Sequence, residues 1–449
     1  MADSPKGKRS QEPERTLGLP SATGIVAASM IGTGIFTVSG EVAETTSTGW
    51  GLLVAWTLGG LYALCGALCY AELAAALPRS GGESFYLGHI YHPLLGFLAG
   101  WISLIAGFSA PIALSSLAFG KYLGALIPGI DEALAATGLV LFLSLLHATN
   151  VHRAVRLQTA LAAAKVLLIL VFIAGGLLLS GGRSIDLGTL SGLQADLLHA
   201  SFAIALIQIV FAYSGWNAAT YVAGEVRSPT RTLPRSLLGG TMLVTVLYVG
   251  LNVIFLLALP LSQMKGVVEV GDVAARRLFG EAAGSALSIG ITLALVSSVS
   301  AMIMSGPRVY REMGVQVPLL SFIRGLNRHG APTRAVALQG FIAVAMIWIS
   351  DFRELLFYIG FTLSLCAAFT VLGQMILRVR RPDLERPYRT TLYPLPPLLF
   401  LGFTAWMVFD GVRGNGDGVL QAGLTILLGA TVYFADRWVS RRWRRETPD

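Results

Sequence analysis

The sequence predicts an all-α polytopic membrane protein of twelve transmembrane helices. They are arranged as two five-helix repeats of opposite orientation followed by two further spans. Three observations predict this. Charged residues make up 13% of the 449 and hydrophobic residues 54%, with a mean hydropathy of +0.67, whereas a soluble chain carries about 25% charged residues. Runs without Asp, Glu, Lys or Arg recur at the length a bilayer requires, about 20 residues. The first and the sixth of these runs are interrupted by small residues near mid-depth, at corresponding places in two halves of the chain.

The first 15 residues are polar, rich in Ser, Pro, Lys and Glu, and predicted to be disordered. The run that follows is too long for a signal-peptide core and is expected to stay as the first span. Charge-free runs then fall at 16–40, 45–71, 93–120, 133–152, 157–182, 197–224, 236–264, 282–307, 335–350, 355–377, 390–409 and 418–435, with Lys165 the one exception. The short ninth run is lengthened by Arg334, whose stem can lie in the apolar layer while its head reaches water. The first repeat therefore spans 16–182, the second 197–377, and the last two spans 390–435. A basic cytoplasmic tail occupies 436–449.

Charge sets the orientation. Of 33 lysines and arginines, 25 fall on the side of the N-terminus and 7 on the other, Lys165 lying within a span. The positive-inside rule then places both termini in the cytoplasm and the protein in the cytoplasmic membrane. The same distribution excludes nucleic acid as a partner, since the net charge of +8 is an orientation signal spread over many loops. Cys65, Cys69 and Cys366 all lie in apolar runs, so they read as small buried hydrophobes and not as a disulfide framework. No metal-ligand spacing, P-loop or nucleophile elbow is present. Enzymatic chemistry, a metal and a cofactor therefore have no visible carrier.

The break in the first span is Ser29-Met30-Ile31-Gly32-Thr33-Gly34-Ile35-Phe36. Each Gly costs a helix roughly 1 kcal/mol relative to Ala, and an unwound segment in hydrocarbon leaves backbone groups without partners. Such a break persists where protein or a cavity surrounds it. The sixth span reads Phe211-Ala-Tyr-Ser214-Gly-Trp216-Asn217, interrupted by Ser-Gly and Asn. A half-helix N-terminus presents free amides and the positive end of the helix dipole. Amides near Gly32, Thr33 and Gly34 thus suit a carboxylate, and carbonyls near Met30, Phe211 and Ser214 suit an ammonium group. The pair fits a zwitterion, an α-amino acid. Trp216 either floors the side-chain pocket or merely packs. Gly59-Gly60, Gly175-Gly176 and Gly239-Gly240 read as close helix packing.

Lys165 lies near the middle of the fifth run. An ionisable group there points to function, and an amine held out of water is a candidate for proton exchange during turnover. A structural lysine paired with hydroxyls or carbonyls is the competing reading. Ser297, Ser298 and Ser300 on the eighth span are its candidate partners. Glu72 and Glu225 sit at span ends, where a gate salt bridge or plain solvation both fit. His147 and His199 read as satisfied core residues.

Four stretches carry a family resemblance: Met30-Ile-Gly-Thr-Gly-Ile-Phe36; Cys69-Tyr-Ala-Glu-Leu73 through Pro78-Arg-Ser-Gly-Gly82; Phe211 to Asn217 with Glu225 to Pro234; and Ser305-Gly-Pro-Arg-Val-Tyr310 through Gly314. The chain resembles the amino acid–polyamine–organocation (APC) superfamily, and within it the L-type-like amino acid transporters and their bacterial relatives. The resemblance implies a LeuT-type fold and alternating access. It implies carboxylate binding at Thr33 and Gly34 and amine binding by the carbonyls of Met30, Phe211 and Ser214. It also implies that Lys165 stands in place of a sodium ion between spans five and eight, which argues against sodium coupling. Two departures stand out. Residues 121–132 contain no cysteine, so no disulfide-linked heavy chain is expected, and Ser214 replaces a glycine common in relatives. The expectation is a secondary transporter of neutral L-amino acids, by proton symport or exchange. A cationic amino acid or polyamine carrier would need an acidic lining, and no acidic residue lies inside the spans near the breaks. An amino acid sensor on the same fold would be expected to carry a soluble extension.

Overall fold

The computed structural model describes residues 15–446 apart from 150, 180, 182 and 329. The first 14 residues, residues 447–449 of the tail, single positions near the ends of the predicted fourth and fifth spans and one loop position therefore lie outside the described residues. The chain is helical throughout. Among the described residues the extended pairing is confined to one bridge, Leu17 with Val226.

The chain begins with α1 (Leu19–Met30) and α2 (Gly34–Thr45), bent by 43° about the segment between them. There follow α3 (Gly49–Ala76), α4 (Gly82–Ile90) and α5 (Pro93–Ile102). A π-helical stretch, Ser103–Ser109, joins α5 to α6 (Ala110–Leu126). Next come α7 (Glu132–Thr149), α8 (Val151–Leu179), α9 (Leu190–Leu198) and α10 (Ala200–Tyr213). A 3-10 segment, Ala218–Glu225, succeeds α10 across Ser214–Asn217. The remainder is α11 (Pro229–Ala258), α12 (Leu261–Met264), α13 (Val270–Gln316), α14 (Thr333–Ile349), α15 (Phe352–Arg380), α16 (Leu395–Gly414) and α17 (Gly416–Glu446).

Each charge-free run falls on helix. Eight helices are long and apolar enough to cross a membrane, nine with the bent pair α1 and α2, and Glu132–Ala148, Ala163–Leu179 and Thr333–Ile349 are shorter apolar helices. The largest departure from the sequence boundaries is in α13, which opens at Val270 and not at 282. Gly280 there has φ 77°, a turn that only glycine adopts readily, so a separate leading helix carries Asp272 and Arg276.

The interior is formed around α10, which packs on α2, α3, α15 and α16, and around α11, which lies against α1 and α3. Leu178, Phe341, Ile349 and Val379 project from the outer surface at 83%, 73%, 76% and 81% exposure, the kind of surface that lipid covers. Close approach depends on glycine. A Cβ on Gly176 would lie 2.4 Å from Ile254, one on Gly240 2.7 Å from Val26, and one on Gly59 2.3 Å from Ile209. These match the packing expected of the glycine pairs, except at Gly239, which faces open space. The tightest approach between α15 and α10 is at Gly360, where a Cβ would fall 2.0 Å from the Ile207 carbonyl oxygen. Backbone cannot yield as a side chain does. Gly360→Ala is therefore expected to destabilise the protein by about 1–3 kcal/mol, seen as a lower Tm in detergent. Gly402→Ala, which meets nothing within 4 Å, is the control expected to leave Tm unchanged.

Candidate substrate site at the crossing of two broken helices

The first span breaks where Ile31 leaves the helix with ψ 88°. Thr33 occupies the N-cap of α2 without capping it by its side chain, so the amides of the first turn of α2 lack the usual side-chain acceptor. The Thr33 hydroxyl donates instead to Ser115 on α6. Tyr122 holds the far side of this turn by donating to the Phe36 carbonyl at 2.7 Å. The positive end of α2 is thereby fixed in place; the Phe36 amide bonds to Thr33 O at 3.1 Å, and the Gly34 and Ile35 amides have no side-chain cap.

The carbonyls at the end of α1 are less free than the sequence suggests. Tyr248 on α11 donates to Met30 O at 2.6 Å, and Lys165 approaches Ile31 O at 3.4 Å. Phe211 O similarly accepts from Ser214 N at 2.9 Å. Each carbonyl keeps a second lone pair, so Met30 and Phe211 offer a substrate one acceptor site apiece.

The two breaks touch. Gly215 sits at φ +94°, and a Cβ there would come 2.8 Å from the Ser29 carbonyl carbon. A Cβ on Gly34 would fall 2.4 Å from the Ala212 Cα. Each break thus leans on backbone next to the other, with no side chain between. Trp216 is 5% exposed. Its ring stands edge-on to Tyr70 at 4.7 Å and to Phe400 at 6.3 Å, over Gly66, whose absent Cβ leaves it room. Asn217 donates to the carboxylate of Glu83.

Lys165 is 3% exposed and donates to Ser298 Oγ at 2.9 Å. The Ser298 hydroxyl donates its own hydrogen bond to Ala294 O at 3.0 Å, leaving its oxygen as an acceptor. The amine thus joins α8 to α13 and to the break of the first span. Of the three serines expected as partners, Ser298 meets the lysine. Ser300 is paired with His147 at 2.9 Å, and Ser297 is fully buried. No carboxylate lies against Lys165 among the described residues.

Glu72 settles as a salt bridge. Arg378 on α15 binds it with both nitrogens, Nε at 2.8 Å, and Thr390 N donates to it at 2.7 Å. At the opposite end of the bundle Arg353 binds Glu41, at 2.8 Å, and Glu44. Glu225 acts through its backbone, accepting from Leu17 N at 3.0 Å. His199 caps Ser201 N, a local role. Two residues of the site escaped the sequence reading. Tyr248 is one tyrosine among thirteen with no motif around it. Glu83 follows Gly81 and Gly82, at φ +127° and +53°, and this glycine turn, visible in the sequence, folds the carboxylate back to Asn217. No acidic residue lies inside the spans near the breaks, as read from the sequence; Glu83 brings a carboxylate to the sixth-span break from outside them.

Residues 17–429 match the family model described as amino acid permease. The chain belongs to the amino acid permease family. The permease is 30% identical over 434 residues to the large neutral amino acids transporter small subunit 2 of Oryctolagus cuniculus, covering 94% of this chain and 80% of that one. It is 29% identical to the b(0,+)-type amino acid transporter 1 of Homo sapiens, covering 96% and 90%. It is 28% identical to the Asc-type amino acid transporter 1 of Mus musculus, covering 94% and 81%.

In this permease Lys165→Ala removes the tie between Ser298 and Ile31. Uptake is expected to fall about ten-fold or more, as for a lost hydrogen bond to a buried charge. Ser300→Ala, whose partner is His147, is expected to keep wild-type uptake, so the two variants assayed side by side separate the serines. Gly34→Ala, whose Cβ would fall 2.4 Å from the Ala212 Cα, is expected to abolish uptake and, like Gly360→Ala, to lower Tm in detergent.

Proposed function

We propose that this permease is a secondary transporter that carries α-amino acids through the membrane by alternating access, with the substrate at the crossing of the two breaks. The observation that carries this is the contact of the breaks themselves, Gly34 against Ala212 and Gly215 against Ser29. It places uncapped amides and partly free carbonyls within one small volume. The carboxylate binds the amides of Gly32, Thr33 and Gly34. The ammonium group takes the remaining lone pairs of Met30, Phe211 and Ser214. The side chain runs toward Trp216 and Asn217, and neutral L-amino acids fit that largely apolar wall.

Twelve spans, counting the three shorter apolar helices, give two inverted repeats and put both termini in the cytoplasm of a cell whose cytoplasmic membrane holds the protein. The Arg378–Glu72 clasp then faces the cytoplasm and the Arg353–Glu41 clasp the outside, so each can part in turn. The Lys165 ammonium, between Ile31 O and Ser298 Oγ, occupies the position of a bridging cation, which makes sodium unnecessary. Coupling is by exchange or by proton symport. Residues 121–132 contain no cysteine, which supports action without a disulfide-linked heavy chain.

Proteoliposome uptake tests the reading. Labelled neutral L-amino acids are expected to enter, faster with amino acid inside or with an inward proton gradient, and at the same rate when potassium replaces sodium. Failure to move any amino acid of a full panel under these conditions would overturn it.

A further inference from the structure

The last helix, α17, has two distinct faces. Ala422, Thr425, Tyr433 and Asp436 are buried and fall at helical spacing. They hold α17 to the bundle: Trp101 Nε1 donates to Thr425 O at 3.0 Å, the Tyr433 ring lies 5.5 Å from that of Phe97, and Asp436 accepts the Leu319 amide at 2.8 Å. The opposite face carries Leu420, Leu424, Leu427, Phe434 and Trp438, all exposed. Such a stripe is surface for lipid tails, with its last aromatic at the level where tryptophan marks the membrane interface.

The helix is longer than the hydrocarbon layer needs. Its charge-free stretch, 418–435, makes about 27 Å of helix, close to the roughly 30 Å of hydrocarbon. The helix nevertheless continues to Glu446, so the segment from Asp436 onward leaves the hydrocarbon still helical. That extension holds Arg437, Arg441, Arg442, Arg444 and Arg445 against Asp436 and Glu446, and the Leu319 amide already engages Asp436. Positions 441, 442 and 445 come three, four and seven places after Trp438, the spacing of a single helix face. The arginine positions therefore prolong the lipid-facing stripe and not the buried one. Like charges at these spacings repel, and anions at the foot of the stripe relieve that repulsion. Beside them, the segment after α13 is brought against α17 by the Leu319 amide. It exposes the apolar side chains of Leu319 and Phe322, with Arg324 and Arg328 exposed after them.

We infer that the C-terminal end of α17, together with the adjoining segment 318–328, is a binding surface for the headgroups of anionic phospholipids. The inference rests on α17 crossing the bilayer and is independent of where the amino acid binds. Acyl chains lie along the stripe from Leu420 to Trp438, and the headgroup phosphates meet the arginine positions directly below it. Leu319 and Phe322 dip into the interface alongside. A soluble polyanion fits less well, because the charged face lies flush with the stripe that the bilayer already covers.

Native mass spectrometry of the full-length protein tests this, with phosphatidylglycerol set against phosphatidylcholine of the same acyl chains. The wild type is expected to hold the first phosphatidylglycerol about five-fold more tightly or more, which is the worth of about one arginine at an anionic surface. In R441Q/R442Q/R445Q that preference is expected to fall close to one. R183Q/R277Q/R413Q removes as many charges from outside this surface and is expected to keep the wild-type preference. A wild type that binds both lipids equally would overturn the inference, leaving the arginines as an orientation signal alone. So would a triple variant at 441, 442 and 445 that retains the full preference. If that variant is not recovered folded, a photoactivatable phosphatidylglycerol on the wild type decides. Label on 434–446 or 318–328 supports the inference, and label confined to other segments overturns it.

Discussion

The structure depends on backbone meeting backbone at the centre of the bundle. Two helices that lose their hydrogen bonds in hydrocarbon would each be untenable alone. Here each break lies against the other, Gly215 on Ser29 and Gly34 on Ala212, at distances that a single methyl group would violate. The carbonyls at the end of α1 are then satisfied by Tyr248 on Met30 and Lys165 on Ile31, and Tyr122 ties the first turn of α2 through the Phe36 carbonyl. What is left over, the first amides of α2 and one lone pair on each carbonyl, is the set of groups a zwitterion needs.

The same donors connect the site to the rest of the fold. Tyr248 belongs to α11, Tyr122 to α6, and Lys165 to α8 with its second contact on α13. A tilt of α1 must therefore break or carry along bonds to at least one of these helices. Arginine–glutamate pairs stand at the two ends of α15, Arg378 with Glu72 and Arg353 with Glu41.

Much of this was legible in the sequence, for physical reasons. Hydrocarbon forbids charge and demands helix, so the runs without charge mark the helices directly. Glycine at the centre of an apolar run is costly enough that its presence at Gly34 and Gly215 marks the breaks. Which carbonyl is already occupied was not legible, since Tyr248 lies more than two hundred positions from Met30 and carries no local signal. The three serines of the eighth span also looked equivalent. Helical spacing turns Ser298 to Lys165 and Ser300 to His147, and only the packing of α8 and α7 decides which faces which. Glu83 was hidden by its position after a span end, where carboxylates are ordinarily solvated. The glycine turn at 81–82 reverses that by folding it inward.

The central claim is that the amides and carbonyls of the two breaks hold the substrate. A structure determined with an L-amino acid bound tests it most directly. The account predicts the carboxylate oxygens about 2.7–3.2 Å from the amides of Gly32 to Gly34, with the ammonium group on the carbonyl side among Met30, Phe211 and Ser214. An amino acid bound elsewhere in the bundle, with the two breaks unoccupied and unchanged, would contradict it.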